Sequence, residues 1–207
     1  MKLNDVLITY DENINSENRL KMILRAIENS CEGFNEIILV GDKPEWIQGV
    51  IHIGFNGCNG PDDLLKNQYR KLRAVCLNRN VTDGIYWVDA DDTLIKFDAR
   101  KGTRISIPDG SLMSYRPKGK EKISYDHTEK LMKRRGFGMN ANFFNKYPMS
   151  FSKEKLKNTF DDIDFETRYG YCIKTLYANF NRLRPTEREI EILNLTDYTT
   201  KSSYEKI

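Results

Sequence analysis

The stretch Tyr86-Trp87-Val88-Asp89-Ala90-Asp91-Asp92-Thr93-Leu94-Ile95 decides how the rest of the chain is read. Ile85 to Val88 is a β-prone apolar run that opens after Asp83-Gly84, so it predicts a short buried strand. The strand stops in carboxylates. Asp89 and Asp91, two positions apart, would point the same way if strand geometry continued, and a turn would let them converge. Crowded carboxylates repel one another unless a cation lies between them, and hard oxygen ligands suit Mg²⁺ or Mn²⁺. In open α/β sheets the carboxyl ends of strands are also where ligands sit. The stretch therefore predicts a metal site for a phosphorylated ligand, while a polar turn after a core strand explains the same letters without chemistry.

Working outward, the preceding residues alternate between strand and helix patterns. Val6 to Tyr10 reads as a first strand, and Ser16 as the cap of a helix running to about Cys31 with Leu20, Ile23, Leu24 and Ile27 on one face. Glu36 to Val40 and Val50 to Phe55 read as the next strands. Pro61 and Asp62-Asp63 suit the opening of a second helix, with Leu65, Tyr69, Leu72 and Cys76 as its apolar stripe and Lys66, Arg70, Lys71 and Arg73 around it. This order predicts an α/β fold with a mixed, mostly parallel, Rossmann-like sheet.

After residue 95 the pattern changes. A hairpin is expected over Arg104 to Tyr115, a basic loop over Arg116 to Lys122, and a short helix over Tyr125 to Arg135. Phe143 to Phe151 reads as loop, because Pro148 interrupts it. Helices are expected over Lys153 to Phe160 and Phe165 to Phe180, and a shorter one over Glu187 to Leu193. Residues 1–195 are read as a single domain, with a ligand-binding half over 1–95 and a variable helical half over 96–195. Residues 196–207 are read as a mobile tail.

Composition bounds the function classes. The chain of 207 residues is 39% hydrophobic and 30% charged, with a mean hydropathy of −0.63, which is globular with a well-solvated surface. A net charge of +3 argues against wholesale coating by nucleic acid while allowing a local basic face. The four cysteines, Cys31, Cys58, Cys76 and Cys172, and the two histidines, His52 and His127, have no zinc-ligand spacing. Reduced thiols, a short apolar run at the N-terminus and the lack of an 18-residue apolar segment predict a cytoplasmic protein without a membrane span, in the host cytoplasm if the source is viral.

A strand-borne Asp-x-Asp about 90 residues into an α/β half, preceded by "EIILVGDKPEW" and a basic helix, resembles the GT-A glycosyltransferases, metal-dependent enzymes that use nucleotide-sugar donors. The stretch "NANFFNKYPMSFSKEKLKNTF…YCIKTLYANF" looks like segments of small phage and bacterial sugar transferases, in which an aromatic-Pro-Met turn precedes a Lys-rich helix. It departs from them at Lys146, where a histidine is expected. The resemblance implies a nucleotide-sugar donor and a Mn²⁺ or Mg²⁺ cofactor, with Asp91 a direct metal ligand and Asp89 a ligand to the metal or the donor ribose. It places the nucleoside near Thr9, Tyr10 and Asp42. Lys71 and Arg73 are then candidates for phosphate or base, unless their helix face is simply solvated. His127 is the one histidine placed to be a third ligand, although an exposed helix position is the ordinary role for it; His52 reads as a packed core or edge residue.

An inverting transferase needs a carboxylate base. Asp162 and Glu166, in the acidic group with Asp161 and Asp164, are candidates, although acids at a helix start explain the same group. The acceptor is open. Lys118, Lys120, Lys122, Lys130, Lys133, Arg134 and Arg135, interleaved with Tyr115, Tyr125 and Phe137, would suit DNA and the transfer of a sugar to a modified base of phage DNA, or form an ordinary lysine-rich surface. Two rival readings stand beside the transferase. Asp89-x-Asp91-x-Thr93-Leu94 also matches the first motif of haloacid dehalogenase-type phosphatases, with Asp89 as nucleophile. A binding module whose acidic turn holds Ca²⁺ or nothing is the third.

Overall fold

The computed structural model describes residues 5–54, 64–89, 97–98, 118–139, 149–161, 170–182, 193–198 and 201–206. Strand β1 (Asp5–Tyr10) leads into helix α1 (Glu17–Ser30), then β2 (Cys31–Glu32), β3 (Ile37–Gly41) and β4 (Ile51–Gly54). Helix α2 (Leu64–Leu77) precedes β5 (Gly84–Asp89), and β6 (Phe97–Asp98) follows. Beyond these come α3 (Gly119–Arg134), β7 (Met149–Ser152), α4 (Lys153–Phe160), α5 (Ile173–Phe180) and a 3-10 turn at Leu195–Asp197.

The main sheet has the spatial order β4-β3-β1-β5-β7. β1 pairs in parallel with β3 and β5, β3 pairs in parallel with β4, and β7 runs antiparallel to β5. The sequence-based α/β expectation of a mixed, mostly parallel sheet holds. Side chains alternate across it, as strand geometry requires. Leu7, Ile38, Val40, Ile85 and Trp87 face a layer made by α2, α3, α4 and α5. Val6, Ile8, Ile37, Leu39 and Val88 face α1 and the segment around Leu193 and Leu195. Near-continuous burial along β1, β3 and β5 is what a sheet covered on both faces demands.

Local signals explain the element ends. Ser16 caps α1, its side chain accepting a hydrogen bond from the Arg19 amide at 3.3 Å. Ser152 does the same for α4 through Lys155, and the carboxylate of Asp83 receives the Glu154 amide at 3.1 Å. Asp83 thereby adds negative charge at the positive end of that helix.

Several expectations are corrected. Met149–Ser152, expected within a loop, is a strand: the proline lies one residue ahead of the first paired position, so no ladder hydrogen bond is lost. The third helix starts at Gly119, earlier than expected, and takes in part of the basic run. The stretch ending at Phe180 is helical from Ile173. Residues 201–206, expected as part of a mobile tail, lie against the body of the protein. Glu205 bridges Ile47, the Gln48 amide donates to the Tyr204 carbonyl at 2.7 Å, and the Lys206 amide donates to the Trp46 carbonyl at 2.6 Å. Ser203 donates to Glu28 from both its amide and its hydroxyl. Backbone pairing of this kind leaves no apolar periodicity for a sequence reading to find. The expected hairpin over Arg104 to Tyr115 and the helix over Glu187 to Leu193 fall almost wholly outside the described residues.

Candidate functional site

The chain runs from β1 outward to β3 and β4, then returns through α2 to β5 on the other side of β1. The connections therefore leave β1 and β5 in opposite directions, and the carboxyl ends of these two strands flank a topological switch point, the place where open α/β sheets take ligands. The register sets Thr9 directly beside Asp89 at that edge. The Thr9 hydroxyl donates to Asp89 Oδ1, and Trp87 Nε1 donates to the Thr9 oxygen at 3.3 Å. Trp87 lies two positions before Asp89 and shares its face of the sheet. Its ring packs on Phe151 of β7 and lies under the ammonium of Lys174, 4.9 Å from the ring centroid.

Lys71 reaches the same edge from α2. Although placed among charged residues in the sequence, it is only 6% exposed. Its Nζ donates to the Tyr10 carbonyl at 3.1 Å and lies 3.9 Å from the Asp11 carboxylate. Gly41 makes room for it: at φ +112° the backbone favours glycine, and a Cβ there would come 2.0 Å from the Tyr10 carbonyl oxygen and 3.0 Å from Lys71 Nζ. A solvated helix face is thus corrected for Lys71, while Arg73 is exposed as that reading requires.

The turn after β1 is saturated. The Asp11 amide donates to Asn15 Oδ1, Glu12 to Asp42 Oδ2, Asn13 to Asp11 Oδ1, and both Ile14 and Asn15 to the Asp11 carbonyl. Dinucleotide-binding folds use the amides of this first turn to hold phosphate. Here five consecutive amides are engaged by the protein itself, in a turn carrying Asp11 and Glu12. Asp42 is part of that lock, its own amide donating to the Tyr10 carbonyl at 3.2 Å. A phosphate bound at this edge would have to be met by something other than these five amides.

The Tyr10 ring points to the α1 face, opposite Thr9, and is buried. Its hydroxyl has no hydrogen-bond partner among the described residues. Burial, and then the carboxylates of Glu17, Glu12, Asp42 and Asp11, push its pKa above the usual phenol value. Tyr10 therefore offers the edge its carbonyl, not its ring.

His127 lies on α3 with its ring centroid 6.4 Å from that of Tyr171 and a buried Nδ1 that has no hydrogen-bond partner among the described residues. The next residue, Thr128, accepts from the Cys172 amide at 2.9 Å and so joins α3 to the start of α5. His52 is on the edge strand β4 and exposed, with Nε2 2.9 Å from the Gly41 carbonyl. Asp91, Asp92, Asp162, Asp164 and Glu166 lie outside the described residues. Among the described residues no group of three His, Cys, Asp or Glu side chains gathers to hold a metal.

On the basic run, Lys133 pairs with Glu129 at 3.1 Å, Arg135 lies over Phe180 at 5.6 Å, and Phe137 packs on Phe180 at 5.0 Å. Lys118, Lys122, Lys130 and Arg134 are exposed.

Sequence reasoning missed Lys174 and the platform beneath it. Both left a signal: a lysine inside the apolar run "YCIKTLYANF", and a tryptophan at strand spacing from Asp89.

Fold and strand-end site together define a Rossmann-like α/β protein with its polar edge at the β1–β5 switch. No protein-family model matches the sequence, and no curated protein does. Among solved structures, the chain is similar to 4-diphosphocytidyl-2C-methyl-D-erythritol synthase from Anaerococcus prevotii, at 11% identity and a TM-score of 0.40, over 87% of this chain and 83% of that one. It is also similar to 2-C-methyl-D-erythritol 4-phosphate cytidylyltransferase from Thermus thermophilus, at 12% identity and a TM-score of 0.32, over 90% and 81%. At such scores the chemistry has to be argued from this chain's own residues.

Proposed function

We propose that the protein is a metal-dependent glycosyltransferase of the GT-A kind, moving a sugar from a nucleotide-sugar donor to an acceptor hydroxyl, with a base of DNA among the acceptors to be tried. The observation that supports this best is the position of Asp89: a carboxylate at the end of an inner strand, at the switch point, oriented by Thr9 from the neighbouring strand. A divalent ion of the Mn²⁺ or Mg²⁺ type supplies Lewis-acid stabilisation of the diphosphate that leaves. Asp89 and Asp91 would hold it, and their hard oxygen donors suit such an ion.

The locked turn after β1 fits the same reading. With its amides engaged, this edge needs cations for phosphate, and Lys71 is already committed to Tyr10 and Asp11. Thr9 fixes the Asp89 rotamer, which keeps one carboxylate oxygen in a set direction before a ligand arrives. Asp42 and the Tyr10 carbonyl shape the nucleoside side of the edge. His127 as a further ligand, and Asp162 or Glu166 as base, are carried by the resemblance alone.

Incubating the protein with a panel of nucleotide sugars and Mn²⁺ tests the proposal. Release of one nucleoside diphosphate, abolished by chelation and by Asp91→Ala with folding retained, is the expected result. Phosphate release from a simple ester, with an aspartyl-phosphate trapped at Asp89, would replace the transferase by the phosphatase reading. Full turnover by Asp91→Ala would remove Asp91 from the metal.

A further inference from the structure

Positive charge is concentrated in one short stretch of this chain. Lys118 to Arg135 holds seven cations and three acids, a larger net charge than the +3 of the whole sequence, so the remainder is close to neutral. The stretch forms α3, a helix of 16 residues and therefore about 24 Å long. Its inner row, Ser124, Thr128 and Met132, is buried at i, i+4 spacing. A second row at the same spacing, Lys118, Lys122, Lys130 and Arg134, is exposed and centred on the opposite side, with only Asp126 interrupting it.

The fold does not use these four cations. Among the described residues none of them makes an ion pair, whereas Lys133 beside them pairs with Glu129 at 3.1 Å. Lys118 stands at the N-cap, where its side chain caps nothing and a cation opposes the helix dipole. Like charges along one helix face repel each other. A polyanion laid on that face relieves the repulsion.

Which polyanion fits follows from what the face lacks. Helices that lie on lipid present an apolar side, and the exposed large hydrophobics among the described residues, Ile14 and Leu77, are not on α3. Single strands are held by aromatic platforms set among cations; here Tyr125 is half-buried and Phe137 is packed on Phe180. Carboxylate-rich peptides are matched by arginine forks, whereas three of these four cations are lysines, point charges suited to phosphates in no fixed register. Duplex RNA is recognised in large part through its 2′-hydroxyls, for which this row has no neutral polar side chain. Duplex DNA presents one phosphate charge per about 1.7 Å of axis, enough to engage the whole row.

We propose that the outer face of α3 is a docking surface for the backbone of duplex DNA, with Lys118, Lys122, Lys130 and Arg134 as its contacts. The inference goes beyond the transferase reading and does not rest on it. It concerns α3 alone and holds whether or not Asp89 gathers a metal.

Fluorescence anisotropy with a labelled duplex of about 20 base pairs, longer than α3, tests it on wild type and two variants of equal charge. The face variant carries Lys118→Gln, Lys122→Gln, Lys130→Gln and Arg134→Gln. The control carries Arg79→Gln, Lys155→Gln, Lys157→Gln and Lys201→Gln, at exposed positions elsewhere. Wild type should bind with a Kd of about 10 μM at about 50 mM salt and weaken about tenfold by about 100 mM, as about four phosphate contacts require. The control should keep most of that affinity and the same salt dependence. The face variant should melt with wild type and bind at least about a hundredfold more weakly. No binding by wild type at about 100 μM protein, or equal losses in the face variant and the control, would overturn the proposal. Tighter binding to single-stranded DNA, duplex RNA or vesicles of anionic lipid than to duplex DNA would overturn it too, by naming a different partner.

Discussion

On the face of the sheet covered by α1, the strands present Val6, Ile8, Leu39 and Val88 together with the rings of Tyr10 and Tyr86. On the face covered by α2, α4 and α5, the same strands end in Thr9 and Asp89 and are overhung by the buried ammonium groups of Lys71 and Lys174. The contrast is in the cost each side bears. Apolar burial stabilises at roughly 25 cal/mol per Å² and asks for no partner. A buried ion needs compensation within a few ångströms or it destabilises the fold. One face therefore reads as pure scaffold, while the other combines scaffold with a concentration of charge at a single edge.

Truncating one large side chain on each face breaks or sharpens this comparison. Trp87→Ala should cost about 3–5 kcal/mol and Leu24→Ala about 2–5 kcal/mol in denaturant unfolding, both being fully buried. Ligand binding should then separate them. At temperatures where both variants remain folded, Leu24→Ala should bind nucleoside diphosphate as wild type does, and Trp87→Ala should not. Trp87→Phe, which keeps a ring but loses the N–H to Thr9, should fall between. Equal binding by Trp87→Ala and Leu24→Ala would erase the distinction between the faces.

A smaller effect concerns Cys76, on α2 and on the site-bearing face. Burial pushes its thiol from 9.0 up to about 12, against the opposing pull of Lys153 and Lys157. The folded state thus holds the thiol proton more tightly than the unfolded chain does. Its contribution to stability is complete below about pH 9 and is lost as pH rises from there toward 12. Unfolding measured across that window should show a downward slope that Cys76→Ala makes shallower, and native Cys76 should resist alkylation near neutral pH. An alkaline slope unchanged in Cys76→Ala would place the titration elsewhere.

How much of this was readable beforehand depends on how local the cause is. The Ser16 cap, the stripe of α1, and the strand Gly84–Asp89 with its terminal acid each follow from a few neighbouring letters. Three strands before Asp89 were enough to give the α/β order. Lys71 was legible only as a charge on a helix, since its burial depends on a carbonyl 61 positions away and on the missing Cβ of Gly41. β7 is a short alternating Met-Ser-Phe-Ser run behind a proline, and pairing with β5 is what makes it a strand. The 201–206 segment is held by backbone bonds to Trp46 and Gln48, which no side-chain pattern announces. Asp89 could be named from sequence; that Thr9 orients it required the register between β1 and β5.

The central claim is that Asp89, at the junction of two inner strands, gathers a metal and a diphosphate together. The most direct measurement is the binding of Mn²⁺ and a nucleoside diphosphate, each in the presence and absence of the other, to wild type and Asp89→Asn. The account expects each ligand to tighten the other in wild type by the same factor, as linkage requires, and expects that coupling to vanish in a folded Asp89→Asn protein. Coupling of the same size in Asp89→Asn, or no binding of either ligand by wild type, would contradict it.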